Sequence, residues 1–382
     1  MTEISLESNP NHKRIAAIVT EYRYNSHADV ILGRLLGDFA YQPQIEVVSI
    51  YTDQIPMNDM SREAAARLGI PIYSTIREAI RNEQGTGPID GVVIIGEHGA
   101  YPYNEKGQMM YPRRRMLDET LAALDELQLV VPIFSDKHLS YDYQEAVWMY
   151  TQLKSRGIPF MGGSSIPFSE TVPPLNPHKL QSAAEILVVS HSPLVEAYGF
   201  HALEVLQSIA EQRECGECGV HSVQFMQGPE VWECMDRKEW PEDLLLQALD
   251  TYPDLPNVHP RELDSNPMLM VVQYADGLKG YVVQFNKLVE QWAACFRTKQ
   301  GETAAVLFNS GLDRPFVHFE HLTKKIEDLI MSGVPPIPME RTLMTTALTC
   351  AVVDAAYYGQ SYQSEKIDIV YKPMVKCIRN TP

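Results

Sequence analysis

Asp90–Gly96 reads DGVVIIG, four apolar β-forming residues between an Asp-Gly pair and a second glycine. A run that short and that continuously apolar predicts a strand buried on both faces, as in a parallel sheet. The pattern repeats on either side. Downstream, Arg115–Gln128 predicts a helix and Leu129–Phe134 (LVVPIF) the next strand. Tyr141–Arg156 is a further helix ended by Gly157, and Ile158–Met161 a further strand. Upstream, Lys13–Thr20 (KRIAAIVT) is a first strand, and His27–Phe39 carries Ala28, Ile31, Leu32, Leu35 and Leu36 at helical spacing. Glu46–Tyr51 and Ile72–Tyr73 read as strands, with helices at Ser61–Leu68, stopped by Gly69, and at Ser74–Arg81. Strands alternating with helices predict βαβ units. Residues 13–165 are therefore expected to form a Rossmann-like, nucleotide-binding-type domain, after a polar and flexible N-terminus over residues 1–12.

Beyond residue 165 the texture changes. Pro167, Pro173, Pro174 and Pro177 mark a connection, and Tyr198–Arg213 predicts a long helix. Val220–Gln227, Met268–Gln273, Gly280–Asn286 and Thr303–Phe308 read as strands, with the last three separated by no helix of any length. Two helices, His318–Met331 and Pro338–Tyr358, close the chain. The expected fold class is α/β: a Rossmann-like parallel-sheet domain, then an α+β domain over residues 166–382 with a large open, mainly antiparallel sheet.

The chain has 382 residues, 45% hydrophobic and 21% charged, which suits two globular cores. Its net charge of −17 opposes nucleic acid and anionic membranes as partners. No apolar run is long enough to span a bilayer, and Met1–His12 carries no signal-peptide core, so a cytoplasmic location is expected. Six cysteines in a chain this size argue against a disulfide framework. Cys215-Gly216-Glu217-Cys218 reads as a plain turn. His318 and His321 read as packing or solvent-facing residues.

Chemistry in doubly wound sheets gathers at the carboxyl ends of the strands. Lys137 follows one such end and His98, next to Glu97, follows another; His201 lies early in the long helix of the second half. Lysine and imidazole there suit proton transfer. The loop Tyr101–Arg115 (YPYNEKGQMMYPRRR) adds polar and cationic groups, among them Asn104 and Arg113. His98, Asp136, His138 and His201 together offer a set of ligands for a divalent metal.

Three segments resemble the glucose–fructose oxidoreductase and inositol dehydrogenase family. Ser61–Ile95 is similar to its second half-Rossmann run. Phe134–Ser169 is similar to the stretch holding its Glu-Lys-Pro signature, here Asp136-Lys137-His138, with Glu145-Ala146 following. Tyr198–Gln207 is similar to its Gly-x-His-x-x-Asp helix start, with Gly199 and His201 matching and Glu204 in place of Asp. The resemblance covers nearly the whole chain.

It implies an NAD- or NADP-dependent oxidoreductase acting on a sugar, polyol or related hydroxy compound, assembled as a homo-oligomer. It implies catalytic roles for Lys137 and His201, to which the strand-end position of His98 adds a third. Thr20, Arg23, Asp53 and Glu97 would contact the cofactor, and His138, Asn104 and Arg113 the substrate. Two positions depart from the family. The turn Thr20–Asp29 (TEYRYNSHAD) has none of the glycines of G-x-G-x-x-G, and Glu21 adds negative charge there that Arg23 can offset. The carboxylate expected four residues before His201 is Ala197, with Glu196 adjacent. These departures keep two other readings open. One is a non-redox lyase, isomerase or hydrolase on the same scaffold, with or without a metal. The other is a binding or scaffolding protein that has lost catalysis.

Overall fold

The computed structural model describes residues 12–85, 87–359 and 365–373, so most of the N-terminal stretch read as flexible lies outside the described residues. Among these, the first sheet contains β1 (Lys13–Val19), β2 (Ile45–Thr52), β3 (Ile72–Tyr73), β4 (Gly91–Ile95), β5 (Ile133–Asp136) and β6 (Phe160–Gly163). Every pairing is parallel, and the order is β3-β2-β1-β4-β5-β6. The chain reverses its direction of travel across the sheet between β1 and β4, which leaves a crevice beyond their carboxyl ends. Gly91–Ile95 is buried throughout because helices cover both faces. On one face lie His27–Leu35 and Val317–Ser332, the second bringing Phe319, Leu322, Ile326 and Ile330 from far along the chain. On the other lie Ile76–Arg81, Arg113–Glu126 and Tyr143–Ser155. The expected strands at Leu129–Phe134 and Ile158–Met161 are both displaced toward the carboxyl side. Pro132 and Pro159 stand just before them and supply carbonyls to neighbouring strands but cannot donate.

The second sheet contains β7 (Glu170–Val172), β8 (Ala183–His191), β9 (Glu217–Gln227), β10 (Met268–Tyr274), β11 (Lys279–Phe285), β12 (Trp292–Thr298), β13 (Thr303–Asn309) and β14 (Ile367–Tyr371). Its order is β14-β9-β10-β11-β8-β12-β13-β7, antiparallel except for β11 with β8. In β8, Ile186 and Val188 face the helix Val195–Ala210, while Leu187 and Val189 face the opposite way. That outer face is covered as well. Helices Pro229–Asp236 and Glu242–Leu249 lay Val231, Trp232, Leu244, Leu245 and Ala248 over Leu187, Val189, Tyr281, Phe285 and Ala293. The sheet is open at its edges, and on the outer face Gln224 of β9 stays exposed.

A charged network ties the inner layer together. Arg341, on the helix Met339–Tyr358, is buried between two carboxylates of the helix Val195–Ala210 and its cap. It lies 3.6 Å from Glu204 Oε2 and 3.4 Å from Glu211 Oε1. Tyr371 of β14 donates to Glu211, and Ser164, just past β6, donates its N–H to Glu204 Oε2 at 3.2 Å. One guanidinium thus couples both sheets to the element that carries His201.

Candidate active site at the junction of the sheets

Two residues that leave the parallel sheet take left-handed backbone angles. His98, after β4, and Lys137, after β5, both have φ of 69°. Such a conformation costs an L side chain roughly 1 kcal/mol or more and persists where neighbours over-determine it. At Lys137 the neighbour is β6: Lys137 and Gly163 exchange both backbone hydrogen bonds, at 3.1 and 3.0 Å. The Lys137 ammonium is thereby turned away from the first sheet and toward the second.

There it meets His201. Lys137 Nζ lies 2.7 Å from His201 Nε2, and both side chains are buried. His201 Nδ1 lies 2.6 Å from Ser164 Oγ. With Lys137 as an ammonium donating to Nε2, the imidazole proton sits on Nδ1 and is donated to Ser164. Burial and the lysine charge hold the His201 pKa well below its ordinary value, so the ring is neutral. Glu97 completes the cluster, 3.6 Å from Lys137 and 2.5 Å from Arg113 Nη2. Burial pushes its carboxyl up, but Lys137 and Arg113 outweigh that and hold it ionised well below the usual carboxylate range. Thr20 fixes the backbone of this turn by donating to Glu97 O at 2.6 Å.

A cavity of about 400 Å³ opens beside Lys137, with His201 behind its wall. Its walls include Glu97, Lys137, His138, Gln108, Tyr111, Arg113, Glu196 and Tyr357. His138 Nε2 lies 3.2 Å from both Arg113 Nη1 and Glu196 Oε1, and Gln108 donates to Glu196 at 3.0 Å. Burial, with the Arg113 charge, lowers the His138 pKa. The loop over the cavity is latched by Lys106, which pairs with Asp354 and lies over the Tyr358 ring. Asn104, expected at the substrate, instead shapes this loop, accepting from the N–H groups of Lys106 and Gln108 at 3.0 Å each.

The structure thus brings Lys137, His201, Glu97, Arg113 and His138 together. His98 lies on the other side of Glu97, with Arg23 Nη2 3.4 Å from its Nδ1 and the His27 ring 5.2 Å away. Burial and its neighbours lower the His98 pKa to about 3. The metal set does not assemble: among the described residues His98, Asp136, His138 and His201 form no group of three close ligand atoms. Each is matched instead by another element, Asp136 by His27 at 2.6 Å. The triple arginine run also splits. Arg113 is buried, Arg114 stacks over Trp148, and Arg115 reaches Asp53 at 2.5 Å. Ser164 and His27 had no signal in the sequence beyond following a strand. Glu196 did: it flanks the expected carboxylate position, and its carboxylate reaches the cavity through His138.

The crevice beyond β1 and β4 is where a doubly wound sheet takes a dinucleotide, with the diphosphate at the first helix N-terminus. Here Ser26 caps that helix, accepting from Asp29 N at 3.2 Å. Tyr22 is buried where glycine would leave room. The acids of the turn are compensated, Glu21 by Arg23 at 2.5 Å and Asp29 by Arg314 at 2.7 Å. Asp53, at the tip of β2, accepts from Tyr51, Tyr101 and Arg115. Lys137 and Asp53 stand where the reactive end and the ribose of a dinucleotide would lie, with Asp53 engaged by Tyr101, and Arg23, paired with Glu21, stands where a glycine cradle would be.

Fold and site together define a two-sheet scaffold, with a buried polar cluster where the Rossmann-like sheet meets the antiparallel one. Among solved structures the chain is similar to GenD2 from gentamicin A biosynthesis, determined with NAD, at 12% identity and TM-score 0.60 over 93% of this chain and 96% of that one. It is similar to a myo-inositol dehydrogenase from Corynebacterium glutamicum at 12% identity and TM-score 0.58, over 93% and 99%. It is also similar to biliverdin reductase from Synechocystis, determined with biliverdin and NADP+, at 13% identity and TM-score 0.54, over 90% and 98%. No protein-family model and no curated protein sequence matches the chain. The structural neighbours are of the glucose–fructose oxidoreductase and inositol dehydrogenase type, and the fold expected from the resemblance is the fold found.

Proposed function

We propose that the chain is an NAD(P)-dependent oxidoreductase acting on the hydroxyl group of a small sugar, polyol or related compound. The observation that carries this reading is the 2.7 Å contact of Lys137 with His201, with Lys137 on the wall of a cavity of about 400 Å³ that also presents Glu97, Arg113, His138 and Glu196. A nicotinamide bound beside Lys137 would supply hydride acceptance. This chain's residues do the rest. Arg113, Gln108 and Glu196 hold substrate hydroxyls, and the Lys137 ammonium binds the reacting oxygen; as the hydroxyl ionises, Lys137 gives one proton to Nε2 of neutral His201 and takes the hydroxyl proton in its place, so the imidazole ends as a cation held by Ser164. The Tyr111 and Tyr357 walls exclude water from the reacting carbon.

The test is purified protein with NAD+ or NADP+ and a panel of sugars and polyols, followed by absorbance of the reduced nicotinamide. Turnover of any member supports the reading; failure of either dinucleotide to shift thermal unfolding, together with no turnover, overturns it. Arg23→Ala is expected to weaken dinucleotide binding by roughly tenfold or more, since a charge-assisted contact to phosphate is worth about 1.5–3 kcal/mol. Calorimetric titration of the two proteins checks it.

The glycine-free turn supports a second reading, acid–base chemistry without hydride transfer by the same Lys137, His201 and His138. Protein that binds no dinucleotide yet eliminates or isomerises a hydroxy compound would select it. A cytoplasmic location and a homo-oligomer remain proposals; no described helix is long and apolar enough to cross a membrane.

A further inference from the structure

At the far end of the second sheet from the cavity, the turn read as plain in the sequence acquires a third member. The ligand atoms of Cys215, Cys218 and Asp276 lie within 4.8 Å of one another. Cys215 Sγ is 3.3 Å from Asp276 Oδ2. Asp276 comes from the β10–β11 turn, far along the chain, so no spacing in the sequence announces it. The segment Cys215-Gly216-Glu217-Cys218-Gly219 has the form of a knuckle. Gly216 and Gly219 both take left-handed angles, φ 74° and 93°, which L side chains avoid. A Cβ on either would stand 2.8 Å from a carbonyl oxygen of β14, Tyr371 O or Ile367 O. The two glycines thus let the chain curl while β14 packs on its back, and the sulfurs come to one side.

We infer that Cys215, Cys218 and Asp276 form a site for a thiophilic divalent cation such as Zn2+, with a fourth position open to water. The donors are right for it: two sulfurs and one carboxylate oxygen at close to tetrahedral reach, where ligand atoms stand roughly 3.3–3.8 Å apart. The charge is right as well. Two thiolates and a carboxylate call for a divalent cation, and Arg213, whose Nε holds Asp276 Oδ2 at 2.8 Å and which also faces buried Glu217 at 3.9 Å, offsets part of the remaining negative charge. That guanidinium orients the carboxylate from outside, as a supporting group around a metal does. The cation would clasp the start of β9 to the β10–β11 turn.

The experiment is titration of full-length, reduced, chelator-treated protein with Co2+, followed by displacement with Zn2+. The expected result is one equivalent of tetrahedral cobalt with a thiolate-to-metal charge-transfer band, and a rise in unfolding temperature on adding Zn2+. Cys215→Ser and Cys218→Ser should abolish the band. Asp276→Asn should retain it while weakening affinity roughly tenfold. Circular dichroism confirms that each variant is folded, and should Cys218→Ser misfold, Cys215→Ser and Asp276→Asn carry the test. An absent charge-transfer band in the parent chain overturns the site. So does equal zinc retention by parent and Cys215→Ser, or closure of a Cys215–Cys218 disulfide at the same rate with and without saturating Zn2+.

Discussion

Lys137→Met is expected to lower kcat/KM by roughly 10²- to 10⁴-fold, the usual worth of a positioned proton-transfer group, while leaving the fold intact. Methionine keeps most of the side-chain volume, so the buried wall at this point is preserved and the ammonium alone is lost. Its removal also frees Glu97, which keeps Arg113 at 2.5 Å as its remaining cation. The loss should appear in kcat, because the lysine acts on the reacting oxygen as charge develops, rather than in ground-state binding by Arg113 and Glu196. His201→Asn should lose a comparable factor, and the double variant little more, since the two act as one relay. The pH profile adds a separate readout. His201 is neutral throughout the physiological range because burial and Lys137 depress its pKa. The acid limb of kcat/KM should therefore lie well below the ordinary imidazole range. Steady-state kinetics against the best substrate of the panel measure all of this, and a Lys137→Met enzyme within a few-fold of the parent would sink the assignment.

Arg341→Met is expected to destabilise the protein by about 3–5 kcal/mol, since removing one partner of a buried ionic network strands the others. Here two carboxylates are stranded, Glu204 and Glu211, together with the Ser164 N–H contact that positions His201. The sign of the pH dependence follows. Burial raises both carboxyl pKa values in the native chain above their unfolded values, although Arg341 opposes it. A carboxyl raised by folding favours the protonated native state, so its contribution falls as pH rises through the window between the unfolded and the raised folded pKa. Without Arg341 that window widens upward. The variant's deficit should then be largest near neutral pH and shrink on acidification toward the unfolded carboxylate pKa. Denaturant unfolding at a series of pH values checks this; a deficit independent of pH would mean that lost packing, and not the stranded charge, is responsible.

The first sheet was legible because parallel strands buried on both faces leave continuous apolar runs, as in Gly91–Ile95. β8 and β12 were not anticipated, although Ala183–His191 and Trp292–Thr298 are apolar runs like that of β11, which was. The helices Pro229–Asp236 and Glu242–Leu249 were not anticipated, each spanning only about two turns. In the site, Lys137 and His201 were legible from strand-end position and from the resemblance, and they do meet. Partner choice was not legible. Asp53 looked free for a ribose because nothing local shows that Tyr101 and Arg115 return to it. The four residues grouped as metal ligands share a region but point to different elements, a distinction that strand order alone does not contain.

The two short helices laid over the outer face of the second sheet bear on self-association. In a chain whose broad sheet was bare, that face would be the natural meeting plane for a twin molecule. Here Val231, Trp232, Leu244 and Leu245 already occupy it, and uncovering side chains of this kind costs about 1.5–3 kcal/mol apiece. A partner approaching this side would therefore rest largely on those helices and on the exposed stretch of β9 around Gln224, rather than on bare sheet.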